Sequence, residues 1–120
     1  MKKTGSCQCG TVRFAATGAP RFVANCHCHD CRRATGAAFS TWVGFFDDQI
    51  SWTGERSIFA SSRGVQRGYC RDCGSPLTFQ GQNWSGETHI LIGAFDDPAG
   101  LTPKGDVFIE DALPFSKPAG

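Results

Sequence analysis

No apolar stretch in the 120 residues approaches the ~18 that a membrane-spanning helix needs, so no helical anchor is expected. Neither sign of charge dominates. Twelve Lys plus Arg face 11 Asp plus Glu, for a formal net charge of +1, which leaves no basic stripe for nucleic acid and no acidic tail. The start, Met1-Lys2-Lys3-Thr4-Gly5-Ser6, is basic but has no apolar stretch before Cys7 and Cys9, so a secretory leader is not expected. A phosphate-binding glycine loop, a nucleophilic-serine arrangement and a paired-carboxylate motif are also missing. Asp47-Asp48 and Asp96-Asp97 stand in turn-like contexts and read as surface turns. These absences point away from nucleic acid, from membranes and from phosphoryl transfer. Charge by itself names no partner.

What is present suits one compact domain over 1–120. Hydrophobic residues make up 40%, with ten Phe and three Trp, while 15 Gly and six Pro imply many turns. Short β-branched and aromatic segments recur between turn residues: 11–15, 21–25, 39–46, 50–53, 57–61, 65–69, 77–80, 89–94 and 107–110. Their alternation predicts half-buried antiparallel strands, with Val12 and Phe14 on one face, Phe39, Thr41, Val43 and Phe45 on another, and Ile90 and Ile92 on a third. One short helix is predicted over His29–Thr35, stopped by Gly36. The Pro-rich tail from Phe95 to Gly120, including Pro118, is expected to wrap the surface around a single strand.

Chemistry resides in the seven cysteines, which fall into three clusters: Cys7-Gln8-Cys9-Gly10, Cys26-His27-Cys28-His29-Asp30-Cys31 and Cys70-Arg71-Asp72-Cys73-Gly74. An odd cysteine count without an export leader points to a reducing compartment, with cytoplasm the default, where close-set thiols are metal ligands rather than disulfide partners. Gly10 and Gly74 allow turns that aim backbone amides at sulfur. Zinc suits such thiolate sites better than an iron–sulfur centre. Seven thiolates and two divalent ions would turn the net charge negative, so the cysteines dominate the electrostatics. Spacing allows two partitions. Cys28 and Cys31 could join Cys70 and Cys73, stranding three cysteines. Alternatively Cys7, Cys9, Cys70 and Cys73 close one site, and Cys26, Cys28 and Cys31 form a second with an empty position for substrate. The second partition gives every cysteine a role and is preferred.

The stretches Gly5-Ser6-Cys7-Gln8-Cys9-Gly10-Thr11-Val12-Arg13-Phe14, Cys26 to Gly36 and Tyr69-Cys70-Arg71-Asp72-Cys73-Gly74-Ser75 together resemble the glutathione-dependent formaldehyde-activating enzyme family, whose domain also occurs in centromere protein V. The resemblance runs from about Gly5 to Gln80 and thins along the tail. It implies a mainly β fold of the Mss4-like or β-tent type, with zinc-stabilised antiparallel sheets. It also implies two Zn²⁺ per chain, a structural one on Cys7, Cys9, Cys70 and Cys73 and a catalytic one, sometimes partly loaded, on Cys26, Cys28 and Cys31. The implied activity is condensation of formaldehyde with glutathione to S-hydroxymethylglutathione, a carbon–sulfur lyase reaction in reverse.

Three thiolates leave a zinc site with net negative charge, better suited to holding a substrate thiol as a fourth ligand than to acting as a strong Lewis acid. Arg32 and Arg33 follow the open site and are candidates to bind a substrate carboxylate. Trp42 falls on the opposite strand face from Phe39 and Phe45, which makes it the candidate among these aromatics for lining a pocket. His27 and His29 alternate with the ligands and read as exposed loop histidines pointing away from the ion, and His89 reads as structural. The alternative functions are a non-catalytic zinc-stabilised binding module and a thiol redox sensor at the Cys26–Cys31 loop.

Overall fold

A computed structural model of the chain describes residues 1–116. In chain order the elements are β1 (Lys2–Ser6), β2 (Arg13–Thr17), β3 (Phe22–Cys26), α1 (His29–Thr35), β4 (Ser40–Phe46), β5 (Ile50–Thr53), β6 (Ser57–Ser62), β7 (Val65–Tyr69), β8 (Pro76–Gly81), β9 (Glu87–Leu91) and β10 (Asp106–Val107). Short 3-10 turns follow several strands. Strands β1-β2-β5 form one sheet, and β10-β3-β4-β9-β8-β7-β6 form another. Every pairing between these strands is antiparallel except that of β10 with β3, which is parallel. The mainly β class and the single short helix are as the sequence predicts.

Strand β4 shows how the layers meet. Val43 and Phe45, 0% and 1% exposed, point into a core shared with Phe14 and Ala16 of the smaller sheet and with Val23, Ile90, Phe95 and Leu101. Each such fully buried side chain contributes about 1.5–3 kcal/mol relative to exposure. One residue along, Trp42 points to the opposite face and packs with Cys26 and Cys31. Gly44, on the Trp42 side, stands opposite Phe22 in the ladder. A Cβ there would run into the Phe22 ring, so the glycine lets that ring lie flat across the strand, edge-on to His89 at 4.7 Å.

Four local expectations change, the first being that the strand expected over 107–110 is only Asp106–Val107, with Ile109–Asp111 in a 3-10 turn. Strand β1 forms from Lys2-Lys3-Thr4-Gly5-Ser6, which has no apolar pattern, because ladder pairing with β2 and two bonds from Lys3 Nζ to the carbonyls of Asp97 and Ala99 hold it. Its lysines suit an edge strand. Strand β9 ends at Leu91 rather than Ala94, since Ile92–Ala94 curl into a 3-10 turn closed by Phe95 N–H on the Ile92 carbonyl. The tail is not only a surface wrap: Phe95 and Leu101, each 6% exposed, belong to the main core. Pro118 falls in residues 117–120, outside the described residues.

Candidate metal centres

The turn after β1 carries Cys7 and Cys9, and the turn after β7 carries Cys70 and Cys73. Both turns close on a glycine in the left-handed region, Gly10 at φ 83° and Gly74 at φ 79°, whose N–H groups donate to the Cys7 and Cys70 carbonyls. The four sulfurs lie within 4.8 Å of one another, with Cys7–Cys9 at 3.6 Å and Cys9–Cys70 at 3.8 Å. A tetrahedral ion with metal–sulfur bonds of about 2.3 Å has sulfur–sulfur edges of about 3.8 Å, so the donor set fits. The surroundings favour thiolate at Cys7 and Cys73, while burial and sharing with Cys7 and Cys73 push the Cys70 thiol up. Val12 N–H points at Cys7 Sγ at 3.3 Å, and the Ser75 hydroxyl together with the Ser75 and Cys9 amides pulls the Cys73 thiol down to about 5. Cys7 and Cys70 pack with Val12 and Leu77 in a small buried cluster.

The second cluster is built across a strand end and a helix cap. Cys26 ends β3, Cys28 is the N-cap of α1, and Cys31 lies in the first turn, its N–H donating to Cys28 Sγ at 3.3 Å. Gly36, at φ 75°, ends the helix with its N–H on the Arg32 carbonyl. The three sulfurs lie within 4.8 Å of one another, and Cys26–Cys28 is 3.4 Å. Donation by the Cys26 thiol holds Cys31 down to about 5 against its burial, with help from Cys28 and from Arg67 Nη2, 3.8 Å away on β7. The same sharing pushes the Cys26 thiol up. Thus the structure assembles the partition that gives every cysteine a role, and Cys28 and Cys31 do not join Cys70 and Cys73.

Residues alternating with these sulfurs fasten the tail. Asn25 N–H donates to the Gly105 carbonyl and His27 N–H to the Val107 carbonyl. His27 Nε2 sits 2.8 Å from Asp106 Oδ1, and His29 Nε2 sits 3.5 Å from Asp111. His27 is therefore not an exposed loop histidine: it is fully buried, its ring 5.1 Å from that of Phe39. A backbone strand needs partners on its outer edge, and the parallel β10 supplies them. Asp106→Ala is expected to lower stability by about 1–3 kcal/mol, the cost of stranding a buried polar ring, read as a reduced urea midpoint with unchanged slope.

The three-cysteine cluster opens onto a cavity of about 510 Å³. Its walls include the rings of Phe22, Trp42, Phe79, Trp84, His89 and Phe108. An adjoining groove of about 570 Å³ shares Trp42, Arg67 and Asp30 with it and is also lined by His29 and Arg33. His89 is stacked on Phe79 at 5.5 Å, and its burial pulls its pKa down against the raising effect of Glu87.

A sequence model of the glutathione-dependent formaldehyde-activating enzyme family matches residues 2–111. The chain belongs to this family. Among curated relatives, an uncharacterized lyase of Schizosaccharomyces pombe is 25% identical over 107 residues, spanning 89% of this chain and 78% of the relative. A crystal structure of a Rhodobacter sphaeroides protein shares the fold at a TM-score of 0.64 and 18% identity, covering 78% of this chain and 87% of that one.

In this member of the formaldehyde-activating enzyme family, the residues expected at the open site separate. Trp42 lines both the cavity and the groove, and Arg33 lines the groove. Arg32 faces neither: it bonds His29 Nδ1 at 2.6 Å and lines a different depression with Leu113 and Phe115. The cation beside the sulfurs is Arg67, which lies 36 positions beyond Cys31. The sequence alone does not single it out: even spacing with Val65 can show a shared strand face but not what that face meets. Trp84 and Phe108 sit in a 3-10 turn and in the tail, where no periodicity points at a cavity.

Proposed function

We propose that this protein is a zinc-dependent, carbon–sulfur lyase-like enzyme, a single cytoplasmic zinc domain that joins or releases formaldehyde and a glutathione-like thiol. Cys7, Cys9, Cys70 and Cys73 would hold the structural ion and Cys26, Cys28 and Cys31 the catalytic one. Family membership supports the lyase-like reading. The observation that carries it is that three converging sulfurs open onto a cavity, whereas the other four are gathered from two turns into a closed set. A zinc ion held by Cys26, Cys28 and Cys31 would supply the Lewis acidity that keeps a substrate thiol ionised.

The chain's own residues do the rest. Arg67 sets a positive charge against Cys31 and offsets the accumulated thiolate charge. Trp42 and Phe79, with ring centroids 6.0 Å apart, give the cavity apolar walls, and an apolar surround strengthens that electrostatic contact. Arg33 in the adjoining groove is placed to receive a carboxylate of the thiol carrier.

Exchange NMR on formaldehyde with glutathione tests the reading: adding protein loaded with two zinc ions is expected to speed interconversion with S-hydroxymethylglutathione. An unchanged exchange rate at full metal occupancy would favour the non-catalytic binding module.

A further inference from the structure

The cavity over the three cysteines is much larger and much less polar than formaldehyde requires. A one-carbon aldehyde leaves most of about 510 Å³ unfilled. Five rings make one continuous wall. Phe79 meets Trp42 at 6.0 Å, Trp84 at 5.6 Å and His89 at 5.5 Å, and His89 in turn meets the edge of Phe22 at 4.7 Å. Phe108, held at φ 54° in a region that bulky residues rarely adopt, closes the rim from the tail. Apart from the three cysteines, the formally charged lining is Arg67 and Asp30. Such walls match a flat apolar group and match poorly the several ionic groups of a tripeptide.

Arg67 is the polar anchor of this cavity. Its guanidinium is fixed over the Phe79 ring at 5.2 Å, and Nη2 contacts Cys31 Sγ at 3.8 Å. Its Nη1 is buried and has no hydrogen-bond partner among the described residues. A buried donor without an acceptor is costly, and a ligand oxygen beside the sulfurs would satisfy it.

We propose that the cavity takes an aldehyde bearing an apolar group of about phenyl size, its ring lying against Phe79 and Trp84 and its carbonyl oxygen bonded to Arg67 Nη1–H. For its chemistry this rests on the lyase reading above, but the binding does not. The sulfur lone pair of the ionised thiol forms the carbon–sulfur bond, the carbonyl π pair moves onto oxygen, and the proton shed by the thiol ends on that oxygen. Thiol and aldehyde give a hemithioacetal, with no oxidant or reductant consumed. Arg67 faces the oxygen as negative charge develops there.

The test uses the zinc-loaded full chain with benzaldehyde as probe. Saturation-transfer NMR is expected to label the benzaldehyde ring protons, and the label should disappear in a Trp84→Ala, Phe108→Gly variant. Both positions are at the rim, 42% and 52% exposed, and glycine suits the φ of residue 108, so the fold is kept. With glutathione as co-substrate, Trp84→Ala should lower the ratio of kcat/KM for benzaldehyde over formaldehyde about 10-fold. Arg67→Met should lower kcat about 100-fold with either aldehyde, and Arg67→Lys should restore part of it. Absence of ring labelling, labelling that survives the double substitution, or a ratio unmoved by Trp84→Ala overturns the inference. Formaldehyde turnover without benzaldehyde binding overturns it while sparing the lyase reading. Specific benzaldehyde binding without turnover of either aldehyde does the reverse.

Discussion

Cys70→Ser is expected to unfold the protein outright. Cys70 is 1% exposed, and its sulfur joins a set that ties the turn leaving β1, in the smaller sheet, to the turn leaving β7, in the larger. With a structural zinc bound there, the site contributes folding free energy on the order of 10 kcal/mol or more. That is comparable to the entire stability of an ordinary domain, about 5–15 kcal/mol. Loss of one thiolate also leaves the sulfurs of buried Cys7, exposed Cys9 and half-buried Cys73 around an incomplete site. Circular dichroism should show loss of β signal at room temperature, and metal analysis should show less than one ion per chain. A folded variant with a native thermal midpoint would mean that the four-sulfur set does not hold the structure.

Replacing Cys26, Cys28 and Cys31 together by Ser should give a contrasting result. These sulfurs sit at one end of β3 and the start of α1, on the face of the larger sheet turned away from the main core. Hydroxyls at the two most buried positions, 7% and 5% exposed, cost about 1–3 kcal/mol each, which the fold can absorb. The expected product is a folded protein with a lowered melting temperature, one zinc per chain instead of two, and no acceleration of thiol–aldehyde exchange. Unchanged metal content would remove the second site, and retained exchange would place the reaction elsewhere. Run side by side, the two substitutions separate a metal that holds the fold from one that reacts.

The sulfur chemistry was legible because it is local. Cys7 with Cys9, Cys70 with Cys73, and Cys26 with Cys28 and Cys31 are neighbours in the chain, and Gly10, Gly36 and Gly74 announce their turns. The helix His29–Thr35 was equally legible, since its cap residues are written into the same few positions. Parity along Phe39 to Phe46 correctly put Trp42 opposite Phe45. What could not be read was set by pairing across the fold. Strand β1 takes its conformation from β2, His27 is buried only because Asp106 arrives from 79 positions away, and Arg67 meets Cys31 only after the larger sheet is assembled. Arg32 and Arg33 were nearer in sequence to the sulfurs, yet a helix turns side chains one and two residues past Cys31 away from it.

The tail's attachment has a bearing on how this kind of protein diversifies. Asn25 and His27 grip it through the carbonyls of Gly105 and Val107, which any side chain at those positions would present, and the Asp106 carboxylate adds a side-chain link to His27. The backbone part of this docking does not depend on which side chains stand at 105 and 107. A change at residue 108 would recast the mouth of the cavity without touching the positions of the sulfurs, so the specificity proposed above would rest on a rim that varies separately from the cysteines.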